Sequence, residues 1–294
     1  MEIRHLALNC AEAEGFVMTG KATRFGLAAA IVFCLLIPQG AEAAGFEKNG
    51  RGEGERSKQE ERRLAIVIDD FGNGMSGTED MLQLPVKFTA AVMPFMPTTK
   101  QDAEEAHRRG HDVIVHMPME PNKGLKSWLG PGAITTDLSD DEIRKRVEDA
   151  IDNVPHAIGM NNHMGSKVTA DERVMRIVLG VCKERGLFFL DSRTTYKTVI
   201  PKVAEEIGLP IVSNHVFLDD VYTEQHISKQ ITELRKQLKS RGDCVTIGHV
   251  GPPGKKTAAV LKLSLPDLQN EAAVVKLSQM INGSMSDPFV LPNP

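Results

Sequence analysis

Aromatic residues are scarce in this chain, with one Trp and two Tyr among 294 residues, and no basic run is interleaved with them. Together with a net charge of -4 and a pI near 6.2, this leaves no electrostatic footprint for a nucleic acid. Cysteine is equally sparse. The four residues Cys10, Cys34, Cys182 and Cys244 form no Cys-x-x-Cys pair and lie at no ligand spacing from a His, which excludes a cysteine-built metal site. Cys182 and Cys244 read as buried apolar residues, and a disulfide between them stays open at this level because spacing does not establish geometry. No Gly-x-Gly-x-x-Gly follows the first candidate strand, which argues against a dinucleotide cofactor. No internal repeat is present, and no apolar run reaches the roughly 20 residues of a membrane span.

The longest apolar run, Phe25 to Ile37, follows Lys21 and Arg24 and precedes Ala41-Glu42-Ala43, a small-x-small pattern. A charged start, a short apolar stretch and that pattern define a secretory signal, so residues 1–43 are expected to be an N-terminal extension and signal peptide, with Met18 as the start of the signal. The expected location is periplasmic or secreted, with no stable membrane span after cleavage; an uncleaved anchor is the second reading. Residues 44–63 are rich in Gly, Glu, Arg and Lys and read as a solvated linker, leaving 64–294 as one folded domain.

Within that domain, amphipathic stretches alternate with short β-rich runs. Gly110, Gly186, Gly208 and Gly242 each stand between the two, where a helix closes. Ser139-Asp-Asp-Glu142 and Thr169-Ala-Asp-Glu172 have the capping-box pattern, and Ile227, Ile231, Leu234 and Leu238 mark a further helix face. Seven strands are expected, at 64–69, 88–93, 112–116, 157–161, 187–191, 210–215 and 244–248. Continuous apolar strands alternating with helices predict an α/β fold whose parallel sheet is covered on both faces, closed or nearly closed into a barrel.

In such a barrel the C-terminal ends of all strands share one rim. Asp69, Asp70, His116, His163, Asp191, His215 and His249 close or follow these strands, so four of the nine histidines are expected there. Two carboxylates about 5 Å apart repel by roughly 3 kcal/mol at an effective dielectric near 20. Adjacent Asp69 and Asp70 at a strand end are therefore costly unless a cation offsets them, and two His with one carboxylate and an open water position is a catalytic zinc arrangement.

From Leu64 to about Leu291 the chain resembles the NodB-type polysaccharide deacetylases, most closely their divergent branch. Ile-Asp-Asp-Phe-Gly (68–72) is similar to the family's first motif, and Gly110 to His116 is similar to the strand carrying the first residue of a His-x-x-x-His pair. Asn161-Asn-His-Met-Gly-Ser166 and Phe-Leu-Asp-Ser (189–192) resemble segments of the divergent branch, and Ile247-Gly-His249 resembles the final-strand motif. The resemblance implies a distorted seven-stranded (β/α) barrel of the NodB type. It also implies Asp69 as general base, Asp70 and His116 as ligands of Zn2+ or another divalent metal, and His249 as general acid. Two departures stand out. Glu120 occupies the second His position, and Asn161, Asn162 and His163 replace an Arg-x-Pro segment. His163 is the expected third ligand and Glu120 the fallback; Asn162 and Asp191 are the candidates for the orienting role that the missing Arg leaves. Asp191 is therefore counted with the catalytic groups and Asn162 with the substrate-binding ones.

The implied activity is metal-dependent removal of acyl groups from an N-acylated, peptidoglycan-type or other envelope carbohydrate. The rivals are a catalytically altered barrel acting as a glycan-binding or interaction module, and another metal-dependent hydrolase. Trp128, in a Gly- and Pro-bounded loop, either floors a sugar subsite or packs that loop on the barrel.

Overall fold

Leu64 to Ile68 are apolar on both alternating faces, and such a strand is stable only where both sides of the sheet are covered. The structure, a computed structural model, describes residues 62–124 and 128–285, side chains of 282–285 excepted. The signal peptide, Met18, Cys10, Cys34 and nearly all of the 44–63 linker lie outside the described residues. Nine strands are described: β1 (Arg63–Phe71), β2 (Thr89–Val92), β3 (Asp112–Met119), β4 (Ala157–Met164), β5 (Phe188–Asp191), β6 (Ile211–Ser213), β7 (Val216–Phe217), β8 (Asp243–His249) and β9 (Ala273–Val275). Between and after them lie helices α1 (Thr78–Leu82), α2 (Thr99–Arg108), α3 (Asp140–Asn153), α4 (Glu172–Glu184), α5 (Ile200–Ile207), α6 (Glu224–Arg241), α7 (Gly254–Glu271) and α8 (Leu277–Met285). The seven expected strands are all present. The two additional ones, β7 and β9, are two and three residues long, too short to leave a pattern in the sequence.

All pairings are parallel, in the order β6-β5-β4-β3-β2-β1-β8-β7, with β9 on the first residues of β1. The two edge strands β6 and β7 are consecutive in the chain and separated only by Asn214 and His215. The sheet is thus curled into a distorted barrel with an open seam that two residues bridge.

Side chains along each strand alternate between two cores. Ala65, Val67, Ala91, Ile114, Leu190, Val245 and Ile247 fill the inside, and Leu277, Met280 and Ile281 of α8 join them at the strands' N-terminal ends. Leu64, Ile66, Ile68, Val113, Val115 and Phe189 face outward against Ile143 and Val147 of α3, Val174 and Val178 of α4, and Ile227 and Leu234 of α6. This parity decides where every polar strand-end residue points.

Ser139 makes the expected capping box with Glu142. At α4 the cap falls two residues later than expected: Asp171 accepts from Val174 N–H at 3.1 Å, while Thr169 lies in a 3-10 turn ahead of the helix and its hydroxyl donates to the Gly165 carbonyl at 2.9 Å. Gly110, Gly186, Gly208 and Gly242 all have positive φ, as their positions predict. Gly77 and Gly254 let the loop after β1 cross the start of α7. A Cβ on Gly254 would lie 2.3 Å from the Ser76 carbonyl oxygen, so no other residue fits without moving backbone. Cys182 and Cys244 are buried and free, with Cys182 Sγ 3.7 Å from Met160 Sδ, so the open disulfide does not form.

At the base of β3, His111 stacks on Phe88 with centroids 3.9 Å apart, and its Nδ1 accepts from Phe88 N–H at 3.2 Å. Burial, followed by the nearby Lys87 and Arg109 charges, pushes its pKa down to about 4. An unfolded His titrates near 6.5, so the unfolded chain binds a proton that the folded one refuses between those values. Stability is expected to be complete above pH of about 6.5 and to fall as pH drops toward 4, by at most about 3 kcal/mol from this residue. Urea unfolding of His111→Gln across that window is expected to show a flatter pH dependence than the unsubstituted protein.

Candidate metal centre

A regular strand would send Asp69 and Asp70 to opposite faces. Here β1 carries a bulge: Ile68 pairs with Ala90 and Phe71 with Val92, so the two Asp residues together oppose Ala91. Asp70 takes the extra position with φ of 71°, a left-handed conformation that costs a non-glycine residue about 1 kcal/mol or more. The bulge breaks the alternation and brings both carboxylates to the same mouth.

Inward parity supplies the rest. His116 follows Ile114 on the inner face of β3, and Asn161 and His163 share the inner face of β4, with His116 in register with Asn161. Asp70 Oδ1 lies 3.2 Å from His116 Nε2 and 3.0 Å from His163 Nδ1, and those two nitrogens are 3.1 Å apart. Among the described residues this is the group of three potential ligands whose atoms converge within 4.8 Å.

Proton positions follow from the outer partners. Asn161 Nδ2 donates to Asp69 Oδ1 at 3.0 Å, so Asn161 Oδ1 is the acceptor facing His116 Nδ1 at 2.7 Å. His116 therefore carries its proton on Nδ1. His163 Nε2 donates to the Trp128 carbonyl at 3.1 Å, which puts its proton on Nε2. In the neutral rings, His116 Nε2 and His163 Nδ1 both aim bare lone pairs at Asp70 Oδ1, a buried oxygen that accepts no hydrogen bond. Three acceptors about 3 Å apart repel one another unless they share a positive charge, supplied either by a metal ion or by a proton on one of the rings. Tetrahedral bonds of about 2.0–2.1 Å separate ligand atoms by about 3.3 Å, so this triangle fits one face of such a site with little movement.

The electrostatics agree. Burial alone would raise Asp70, yet the His116 and His163 rings facing it, with His249 behind, hold its carboxyl well below the usual range. Asp69 goes the other way: burial pushes it up, against the pull of His116 and His249. Burial would lower His116, but the Asp69 and Asp70 charges raise it. Without a metal, the cluster stabilises itself by taking a proton.

Across the mouth, β8 ends in His249. Its Nδ1 donates to Asp219 Oδ1 at 2.7 Å, while Asp219 Oδ2 accepts from His249 N–H at 2.8 Å and from the Thr257 hydroxyl at 2.7 Å. Burial works against the charged ring, but the Asp219 hydrogen bond and the Asp70 and Asp69 charges lift His249 to about 10. The Phe217 ring stacks beside it, centroids 6.1 Å apart. Asp70, His163, Asp219 and His249 line a cleft of about 380 Å³ together with Trp128 and Tyr222.

Several residues lie elsewhere than expected. Asn162, between two inward residues, faces outward: it is 1% exposed, its Oδ1 accepts from Ser192 N–H at 3.1 Å, and its Nδ2 donates to the Met164 carbonyl at 2.7 Å. These bonds occupy it in bracing β4 to β5 and leave it away from the cleft. Asp191 follows inward Leu190 and so also faces outward, where Oδ1 accepts from Arg193 N–H at 2.8 Å; burial raises its pKa. It does not reach Asp69. Glu120 is taken by Lys167 at 2.9 Å and by the Thr136 amide and hydroxyl at 3.0 Å, outside the ligand cluster. His215 is opposite Val245, low on β8, and its Nδ1 accepts from that residue's N–H at 3.0 Å, so it is not at the rim. Trp128 is at the cleft with its side chain largely exposed and its carbonyl holding His163.

Two residues that sequence reasoning assigned no role are Asn161 and Asp219. Asn161 lies two positions before His163, and parity alone puts it on the same face. Its amide orients Asp69 and sets the His116 tautomer at once. If the centre holds a divalent metal, Asn161→Ala is expected to weaken its binding about 10- to 100-fold, and in any case to cost about 1–3 kcal/mol through the stranded Asp69 oxygen, as read by metal titration and thermal unfolding.

Fold and site together define a curled parallel (β/α) barrel with a candidate Asp-His-His metal centre at its C-terminal rim. The sequence matches the model of the divergent polysaccharide deacetylase family over residues 66–281, and the chain belongs to that family. It is 34% identical over 230 residues to the uncharacterized protein YibQ of Escherichia coli (strain K12), covering 78% of this chain and 70% of that one. An uncharacterized protein of Haemophilus influenzae (strain Rd) is 34% identical over 232 residues, covering 78% and 81%. The crystal structure of an uncharacterized protein from Agrobacterium tumefaciens C58 superposes with a TM-score of 0.70 at 20% identity, covering 75% of this chain and 89% of that one, and shares the fold. No helix among the described residues is long and apolar enough to cross a membrane.

Proposed function

We propose that this protein is a secreted or periplasmic zinc-dependent hydrolase that removes acyl groups from an N-acylated envelope carbohydrate. The observation that carries this reading is the convergence of Asp70, His116 and His163 lone pairs beside one buried carboxylate, Asp69, and across from one proton-bearing imidazole, His249. A divalent cation held by the three ligands supplies Lewis acidity, polarising an acyl carbonyl and making water nucleophilic near neutral pH.

The chain's own groups divide the remaining work. Asp69, oriented by Asn161, accepts the proton of the attacking water. His249, kept protonated by Asp219, donates a proton to the amine nitrogen as the C–N bond breaks. Acetate and a free amino sugar are the products for an N-acetyl substrate. Trp128 and Tyr222, exposed at the cleft, supply faces on which a pyranose ring stacks.

The test is metal analysis of the purified mature protein followed by assay of acetate release from N-acetylated glycan and peptidoglycan fragments. One zinc per chain with zinc-dependent acetate release is expected. Bound metal with no acetate from any of these substrates would overturn the deacetylase reading and leave a metal-holding binding module.

A further inference from the structure

Beside the cleft, on the other side of Phe217, a second cavity of about 440 Å³ opens at the seam between β6 and β7. Its lining is unlike the rest of this acidic chain. Arg193 and Arg241 both face it, no carboxylate lines it, and neither guanidinium has an ion pair or hydrogen bond among the described residues. The neighbouring carboxylate Asp243 is already bonded to Arg63 through both oxygens.

The remaining donors are set by the fold. His215 Nδ1 accepts the Val245 N–H, so the neutral ring carries its proton on Nε2. Burial and then the Arg241 charge push His215 below its usual range, which keeps it neutral and that tautomer in place. The Ser213 hydroxyl, at the end of edge strand β6, has no partner among the described residues. Arg193 stands in a left-handed conformation with φ of 59°, fixed by its N–H to buried Asp191. Asp191 thereby acquires a role of its own, since its carboxylate holds the turn that presents Arg193.

Two unpaired guanidinium groups, an imidazole N–H and a hydroxyl, with no acid among them, form a donor set suited to a carboxylate or phosphate. We infer that the seam cavity is an anion site and that it receives a carboxylate carried by the glycan whose N-acyl group occupies the adjoining cleft. The identity of the ligand as a glycan rests on the function proposed above; the anion site itself does not.

The experiment is calorimetric titration of the zinc-loaded mature protein with an N-acetylglucosamine–N-acetylmuramic acid disaccharide and with neutral N,N′-diacetylchitobiose, each with and without inorganic phosphate. The acidic sugar is expected to bind about tenfold or more tightly than the neutral one at low salt, and the gap is expected to shrink as salt or phosphate is added. The double variant Arg193→Gln, Arg241→Gln, with both changes at exposed positions, is expected to abolish the gap while leaving the neutral sugar's affinity unchanged. Equal binding of the two sugars, or a gap that survives in the double variant, would overturn the anion site while leaving the glycan reading intact. If neither sugar binds but phosphate binds the unsubstituted protein and not the double variant, the anion site stands and the glycan reading falls.

Discussion

Replacing Asp70 by Asn is expected to reduce zinc affinity on the order of 1,000-fold, beyond the 10- to 100-fold that follows loss of an outer partner. An amide oxygen keeps the shape but removes the charge that makes two converging imidazole lone pairs a cation site. Asp70 Oδ1 is the common neighbour of both nitrogens, at 3.2 and 3.0 Å, so no other carboxylate oxygen takes its place. Asp69 Oδ2 is 3.6 Å from His116 Nε2 and its other oxygen is bonded to Asn161. Glu120 is bound to Lys167 and Thr136. The readouts are metal content after dialysis and the zinc-induced rise in melting temperature, about 2.7 kcal/mol of stabilisation at 100 times Kd in the unsubstituted protein and absent in the variant. A variant that retained one zinc per chain would show the ligand set to be wrong.

Asp69→Asn is expected to give the opposite pattern: zinc affinity within a few-fold of normal, and turnover lower by about 100- to 10,000-fold, the range a general base supplies. The asymmetry between adjacent residues of the same type comes from the bulge, which puts Asp70 against the imidazoles and Asp69 against Asn161. The pH profile carries a second signature. Burial raises Asp69, so activity is expected to rise through a pH above the ordinary carboxylate range as the base ionises. His249 must keep its proton, and because the Asp219 hydrogen bond raises its pKa, activity is expected to fall only at a pH above the ordinary His value. Asp219→Asn, which removes the charge holding that proton, is expected to move the alkaline limb back toward the ordinary His value near 6.5. An unchanged alkaline limb in that variant would exclude His249 as the acid.

The two variants also bear on how the site is read from the chain. Asp69, Asp70, His116, His163 and His249 are legible because each is a polar residue ending a continuous apolar run, and in a parallel barrel such ends share a rim. Asn162 and Asp191 are equally polar and equally placed in the sequence, yet both face the helices. The difference is one residue of parity, visible only once inward neighbours such as Ile114 and Leu190 are known to be inward. His215 follows a predicted strand but is opposite Val245 because β6 ends and β7 begins around it, a break that three- and two-residue strands do not announce. Asn161 and Asp219 were within reach of the same parity argument and of the Leu-Asp-Asp segment after β7, but their roles come from partners 92 and 30 residues away.

By itself the sequence determined the alternation of strands and helices, the capped starts and glycine-closed ends of those helices, and a list of polar strand-end residues that contains the candidate metal ligands. These depend on local periodicity, turn chemistry and residue type, which neighbours in the chain are enough to specify. Tertiary structure alone decided that Asp69 and Asp70 face the same mouth, which nitrogen of each imidazole is bare, that Asn161 bonds to Asp69, and that Arg193 and Arg241 line the same open seam. Each of those depends on register between strands far apart in the chain, and a shift of a single residue would turn the side chain to the opposite face.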